Sequence, residues 1–308
     1  MIGKPLEVAI QNKEHKFSGE ARSVLSAVVE QTGVKGVASH DQIVPPDREL
    51  TRLLRSVALM ETEIHSEIKS FRDEAINYYN GVAKKEGLEN IKWEISFCPK
   101  DLFDKIIRAK SSVKVTENGC VAGFFDPQSN IVFVSYDNAD NLAMFETMGA
   151  IFHEMRHRVA GKKVWLNERG QTESVATGFS KDRISSLMEE IFTVGFCAEH
   201  ISEIKDPFFQ KMALNLDRVL STDSRYSGDI FNFGQDYDCC GRVYKLLKTK
   251  IPNIEELCVK ARLGQGIHPL AKEIVGSFGK ETLIALATGN MQKIKEIHSL
   301  ILDKTEQH

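Results

Sequence analysis

Ala150-Ile151-Phe152-His153-Glu154-Met155-Arg156-His157 is the stretch on which the reading of this chain turns. Around it, Leu142, Phe145, Met148, Phe152, Met155 and Val159 recur at three- and four-residue spacing. That spacing predicts an amphipathic helix over about 141–159, with Asp140 near its N-cap. Residues four apart on a helix share one face, so His153 and His157 present two imidazoles to one point. Zinc takes such nitrogens in a tetrahedral site and keeps one position for water when it is catalytic. Glu154 stands beside the first histidine, where its carboxylate reaches that water and takes its proton during attack on a carbonyl. Every fixed position of His-Glu-x-x-His therefore has a chemical reason. The plainer alternative is a surface helix with two solvated histidines. The broad apolar stripe, the absence of proline and the hairpin that precedes the motif favour the metal site.

Outward from this helix the pattern is mixed. Residues 1–47 read as an N-terminal extension with a helix over about 18–31 and a loop ending at Pro45-Pro46. Leu50, Leu53, Leu54, Val57 and Met60 open a long helix from about 48 to 85, which Gly87 ends. Residues 91–97 alternate as a strand, and a short helix follows over 100–109. Two strands at about 119–125 and 131–135 flank Asp126-Pro127-Gln128-Ser129-Asn130, a five-residue hairpin loop. Residues 160–185 are polar and glycine-bearing and read as irregular. A helix runs from Ser186 to about Ile204, and the chain beyond Pro207 is largely helical, with breaks at 221–235, Pro252, Gly264–Gly266 and Gly279. The expected fold is α+β, a small, mainly antiparallel sheet among many helices.

Composition sets few limits. With 308 residues and 42% apolar residues, the chain builds an ordinary core without a disulfide or metal to hold it. A net charge of −3 gives no electrostatic case for nucleic acid or an anionic membrane. Cys98, Cys120, Cys197, Cys239, Cys240 and Cys258 contain no CxxC and read as buried, reduced thiols. No stretch approaches the roughly 20 apolar residues of a membrane helix, and the N-terminus lacks the apolar run of a signal peptide. A cytoplasmic protein is expected.

The element order (long helix, strand, hairpin, HExxH helix, irregular segment, then a helix with Glu in its first turn) resembles the gluzincin superfamily of zinc metallopeptidases, whose compact members are called minigluzincins. By element order the resemblance covers about 48–250, and its motifs lie within 119–193. It implies a zincin-like catalytic core over 48–206, with the helical part at 207–308 completing a cleft. In gluzincins a Glu on the next helix is the third zinc ligand, often written Asn-Glu-Gly or Asn-Glu-Ala. Leu187-Met188-Glu189-Glu190-Ile191 holds that place here, and Glu189, thirty-one residues beyond His157, matches the ligand. Met188 replaces the Asn, and Glu190 falls where a small residue is common. Glu190 remains an alternative, as does Glu168, which follows Asn167 only eleven residues after His157. The plainer role for Glu189 is a capping box with Ser186. Arg156 is a further departure, since a charge in a buried motif needs a partner such as Glu173 or Asp140.

In zincins a peptide substrate lies antiparallel along an exposed edge strand above the zinc, held by backbone hydrogen bonds. Val121, Ala122, Gly123 and Phe124 are the implied substrate-binding residues, and small Ala122 and Gly123 allow close approach. The oxyanion formed on attack takes a neutral donor. Tyr237, opening a late helix, resembles the gluzincin tyrosine in that role, with Tyr226 and His200 as weaker choices. Cys197 and His200 have CxxH spacing without a second pair. The resemblance thus implies a Zn2+ peptidase acting on peptides or proteins by a metal-activated water, with Glu154 as general base. Two alternatives stay open, a non-catalytic zinc protein used for binding or scaffolding and a helical interaction protein whose motif is accidental. Oligomeric state and cleavage preference are not legible.

Overall fold

Strand β3 (Ile131–Tyr136) organises the fold, and all six of its residues are buried. β1 (Ile95–Pro99) pairs with it in parallel and β2 (Gly123–Asp126) antiparallel, giving the order β1-β3-β2. The three-stranded sheet is therefore mixed, which corrects the expectation of a mainly antiparallel one. Parallel neighbours need a long connection, and α3 (Lys100–Lys110) lies in the connection that follows β1. This computed structural model describes residues 48–88, 91–110, 122–166, 169, 172–179, 186–220, 235–290, 293 and 296. The expected extension at 1–47 and its helix, Cys120, Val121, Glu168 and Tyr226 lie outside the described residues.

Burial on both faces explains the unbroken apolar run of β3. Ile131 and Phe133 pack with Leu50 and Leu54 of α1 (Arg48–Ser56) and with Phe103 and Ile107 of α3. Val132 and Val134 point the other way, into a larger core with Phe71 and Tyr79 of α2 (Ser66–Lys85) and Phe152 of α4 (Asn141–Arg158). Each fully buried phenylalanine there contributes about 1.5–3 kcal/mol of transfer free energy. The same core takes in Phe192 and Phe196 of α5 (Ser186–His200) and Val243, Tyr244 and Leu247 of α7 (Gln235–Lys250). The helical tail is thus continuous with the core around the HExxH helix. That tail comprises α6 (Pro207–Leu220), α7, α8 (Ile254–Arg262), α9 (His268–Phe278) and α10 (Lys280–Thr288).

Two stretches differ from the sequence reading. The long helix expected over 48–85 is two helices, broken between Ser56 and Ser66 by an extended turn and a short 3-10 segment at Glu61–Glu63. No glycine or proline marks the break. Tertiary bonds do: Leu59 donates its N–H to Phe97 O at 2.8 Å, and His65 donates its N–H to the Tyr136 hydroxyl at 3.0 Å. The segment expected to be irregular contains an antiparallel ribbon, β4 (Lys162–Leu166) with β5 (Thr172–Thr177). The loop of the β2–β3 hairpin is one residue shorter than expected, since Asp126 pairs with Ile131. Asp126 caps it, accepting from Gln128 N–H at 3.0 Å and the Ser129 hydroxyl at 2.5 Å. No described helix is long and apolar enough to cross a membrane.

Candidate metal centre

Helix α4 is buried almost all round, from Met144 to Arg156. Its N-cap is the expected Asp140, whose carboxylate accepts from Ala143 N–H at 2.9 Å. Tyr79 of α2 donates its hydroxyl to Phe152 O at 2.8 Å, gripping the turn just before His153. These contacts set the rotation of α4, and so where its two histidines point.

His153 and His157 face one another, with Nε2 atoms 3.1 Å apart and ring planes crossed at 72°. Helix α5 brings Glu190 against both. Its Oε2 lies 3.2 Å from His153 Nε2, and its Oε1 lies 3.4 Å from His157 Nε2. A tetrahedral ion with bonds of about 2.0–2.1 Å to such ligands spaces the donor atoms roughly 3.3 Å apart. The two nitrogens, and each nitrogen with a different oxygen of Glu190, stand near that value. Glu190 Oε2 is also buried with no hydrogen-bond partner, although the imidazole stands at ion-pair distance. A buried carboxylate oxygen left without a donor suits a cation. The donor set fits zinc.

Glu189 is placed differently from the expectation. It is in the first turn of α5, but its carboxylate turns to the outer edge of His157, with Oε1 at 3.3 Å from Nδ1. Arg262, the last residue of α8, donates Nε to Oε1 at 3.0 Å and to Oε2 at 3.1 Å, and Nη2 to Oε1 at 2.5 Å. Phe179 N–H reaches Oε2 at 3.3 Å. Gly178, at φ +54°, leaves the space the Glu189 carboxylate fills, since a Cβ there would overlap Oε2. Adjacent helical residues point about 100° apart, so the two carboxylates meet His157 at different edges, and only Glu190 also meets His153. Glu190, the alternative to Glu189, is the carboxylate whose oxygen clusters with one ligand atom of each histidine.

The charges are coupled. Burial opposes ionisation of Glu190, but the charges of His157 and His153 beside it hold its carboxyl far below the usual range. Burial opposes ionisation of Glu189 too, and Arg262 and His157 overcome it. Burial also disfavours the imidazolium of His157, yet Glu190 and Glu189 raise its pKa to about 9. His153 is raised well above its ordinary value in the same way, with the Cys197 thiol hydrogen-bonded to its ring and Glu190 at hand.

Glu154 points from α4 toward the sheet edge. A Cβ on Gly123 would stand 2.5 Å from Glu154 Cγ, so only glycine lets this side chain lie against β2. Burial pushes its carboxyl above the ordinary value, against the pull of both imidazoles and a hydrogen bond from the Phe125 backbone. β2 is one edge of the three-stranded sheet, with β1 at the other. Ser135 N–H donates to Ala122 O at 2.9 Å, so Ala122 and Phe124 bond inward to β3. By alternation Gly123 and Phe125 turn their backbone groups outward.

Arg156 is fully buried, its partner among the described side chains is not Asp140, and the side chain of Glu173 lies outside the described residues. Arg156 pairs with Glu86 at 2.8 Å, past the C-terminus of α2, with its guanidinium 4.2 Å over the Phe196 ring. Tyr237 lies in the first turn of α7, and its side chain falls outside the described residues. His200, the weaker candidate, is engaged elsewhere: Glu203 lies 2.7 Å from its Nδ1 and Glu255 3.2 Å from its Nε2. Glu199, His200 and Glu255 form a second cluster of potential ligands, but Lys248 binds both oxygens of Glu199 at 2.6 Å. A lysine in that position supplies the cation.

Arg262, Gly178 and Glu86 were not singled out from sequence, and Cys197 was noted only as a buried thiol with CxxH spacing to His200. Arg262 lies 105 positions beyond His157 in an ordinary amphipathic helix, and nothing local distinguishes it. Comparison with family models, with curated proteins and with solved structures found no match to this chain.

Proposed function

We propose that this protein is a zinc-dependent peptidase in which His153, His157 and Glu190 hold the ion. The observation that carries the reading is the convergence of the two Nε2 atoms and the Glu190 carboxylate at 3.1–3.4 Å, with Glu154 one residue beyond the first ligand. A zinc ion bound by that set supplies a Lewis acid that polarises water and the carbonyl of a scissile bond. Glu154 has no structural duty in holding an ion. Its raised pKa suits a group that accepts a proton from the attacking water and delivers it to the leaving amine. The outward-facing backbone of Gly123 in β2 is offered to an extended chain, which makes a peptide the substrate class. Tyr237, at the start of α7, is proposed as the donor to the oxyanion. A zincin-like core and a cytoplasmic location belong to the same reading. The buried thiols of Cys98, Cys197, Cys240 and Cys258, none of them in a disulfide, support a reducing compartment.

Metal analysis and a mixed peptide library test it. The purified protein is expected to carry near-stoichiometric zinc and to cleave peptides. Glu154→Gln is expected to keep the metal and lose cleavage. Protein that takes up no zinc would remove the metal site, and equal behaviour of wild type and Glu154→Gln would remove the peptidase.

A further inference from the structure

We propose that Arg262 is a positioning residue for the ligand His157, acting through Glu189, so that the helical tail helps to build the metal site. The inference rests on the zinc reading above.

The geometry forms a chain of contacts. Arg262 is 1% exposed and spends its guanidinium on two tasks. One is the fork to both oxygens of Glu189. The other is the end of the HExxH helix: Nη2 donates to Arg156 O at 2.9 Å and Nη1 to Val159 O at 3.3 Å. Arg156 O is one of the carbonyls that the last turn of a helix leaves without backbone partners, Val159 O at the C-cap also accepts from Arg156 Nη1 at 3.3 Å, and a cation there is favourable. Arg262 O in turn accepts from Gly161 N–H at 3.2 Å. The residue therefore ties the exit of α4 and the carboxylate of Glu189 to one planar group.

The consequence falls on His157. An imidazole whose Nδ1–H is donated to a carboxylate keeps its lone pair on Nε2, which is the atom facing His153 and Glu190. Glu189 supplies that carboxylate only while something holds it on the outer side of the ring. Unpinned, a carboxylate next to Glu190 would compete with it for the ion. Arg262 and the cradle at Gly178 and Phe179 keep Glu189 in its outer place. Lysine would keep the charge but not the fork that spans Glu189 and two helix carbonyls together.

Zinc affinity of the full chain, measured by competition with a chromophoric chelator at one pH, decides the matter for Arg262→Met, Arg262→Lys, Glu189→Gln and Arg262→Met/Glu189→Gln. Thermal unfolding of each metal-free variant and the visible spectrum of each Co2+ form accompany it. Arg262→Met is expected to lose about 10–100-fold in zinc affinity, the range for loss of a group behind a ligand, and to alter the Co2+ bands. In the Glu189→Gln background the same substitution is expected to cost little more. A folded Arg262→Met with wild-type affinity would overturn the proposal. So would an equal loss with and without Glu189, which would mark Arg262 as a fold staple only. If Arg262→Met does not fold, Arg262→Lys decides in the same way, with a smaller expected loss. Wild-type protein that binds no zinc would sink the metal reading itself, a result distinct from a wild type that binds zinc and an Arg262 variant that does so equally well.

Discussion

Glu189 and Glu190, adjacent on α5, turn their carboxylates to opposite edges of one imidazole: Glu189 meets Nδ1 of His157 at 3.3 Å and Glu190 meets Nε2 at 3.4 Å. One ring is thus held from behind and faced from in front.

The two carboxylates should separate by zinc affinity. Glu190→Gln removes a charged donor from the site and is expected to weaken zinc by more than about 100-fold, beyond the range for loss of an outer partner. Glu189→Gln keeps an oxygen toward Nδ1 and should cost less. Chelator competition on both variants gives the order, and the reverse order would return Glu189 to the ligand role.

Glu154→Gln should hold zinc as wild type does and lower kcat by about 10²–10⁴-fold, the contribution of a positioned proton acceptor. Steady-state kinetics on any cleaved peptide, with metal content measured in parallel, provides the check.

Gly123→Ala places a Cβ 2.5 Å from Glu154 Cγ and must push that side chain aside. Displacement of a catalytic group by about 1 Å costs on the order of 10²-fold in rate. The loss should vanish in a Glu154→Gln background. A loss that persists there would mean that Gly123 acts on the substrate strand instead.

Glu86→Ala leaves the fully buried Arg156 without its carboxylate and is expected to cost about 3–5 kcal/mol of stability in denaturant titration. Replacing both residues by methionine should cost distinctly less, because no charge is then stranded.

The pair His200–Glu255 predicts a pH window. A hydrogen bond to Glu255, opposed by partial burial and aided by Glu203, raises the His200 pKa, and the same hydrogen bond lowers that of Glu255. A raised histidine stabilises the fold fully below its ordinary pKa and loses that contribution as pH rises through the raised value. The lowered carboxylate contributes above its ordinary pKa and fails as pH falls through the lowered value. Stability of His200→Gln should therefore fall less than that of wild type as pH is raised from 6 toward the alkaline side of the histidine range. Parallel curves would remove the pair from the account.

The HExxH helix was legible because periodicity and motif coincide there. Met148, Phe152 and Met155 are fully buried as their spacing requires, and Asp140 caps the helix where its side chain allows. The tail helices were legible from Pro252, Gly264–Gly266 and Gly279, since each stops a helix by its own backbone chemistry. The break between α1 and α2 was not, because it is made by bonds to Phe97 and Tyr136 far along the chain. The β4–β5 ribbon left only a weak trace, β-branched residues on either side of Asn167-Glu168-Arg169-Gly170.

By itself the sequence determined that His153, Glu154 and His157 share one helix and one face, because the helical repeat depends on nothing distant. It also determined that a helix with Glu189 in its first turn, followed by Glu190, comes next. Which glutamate faces the histidines was decided only by how α5 docks. A rotation of about 100° exchanges neighbouring residues, and the packing of Phe192 and Phe196 into the core and the grip of Arg262 on Glu189 select the angle. The partner of Arg156 and the holder of Glu189 were set in the same way, by long-range contacts between buried charges that local spacing does not encode.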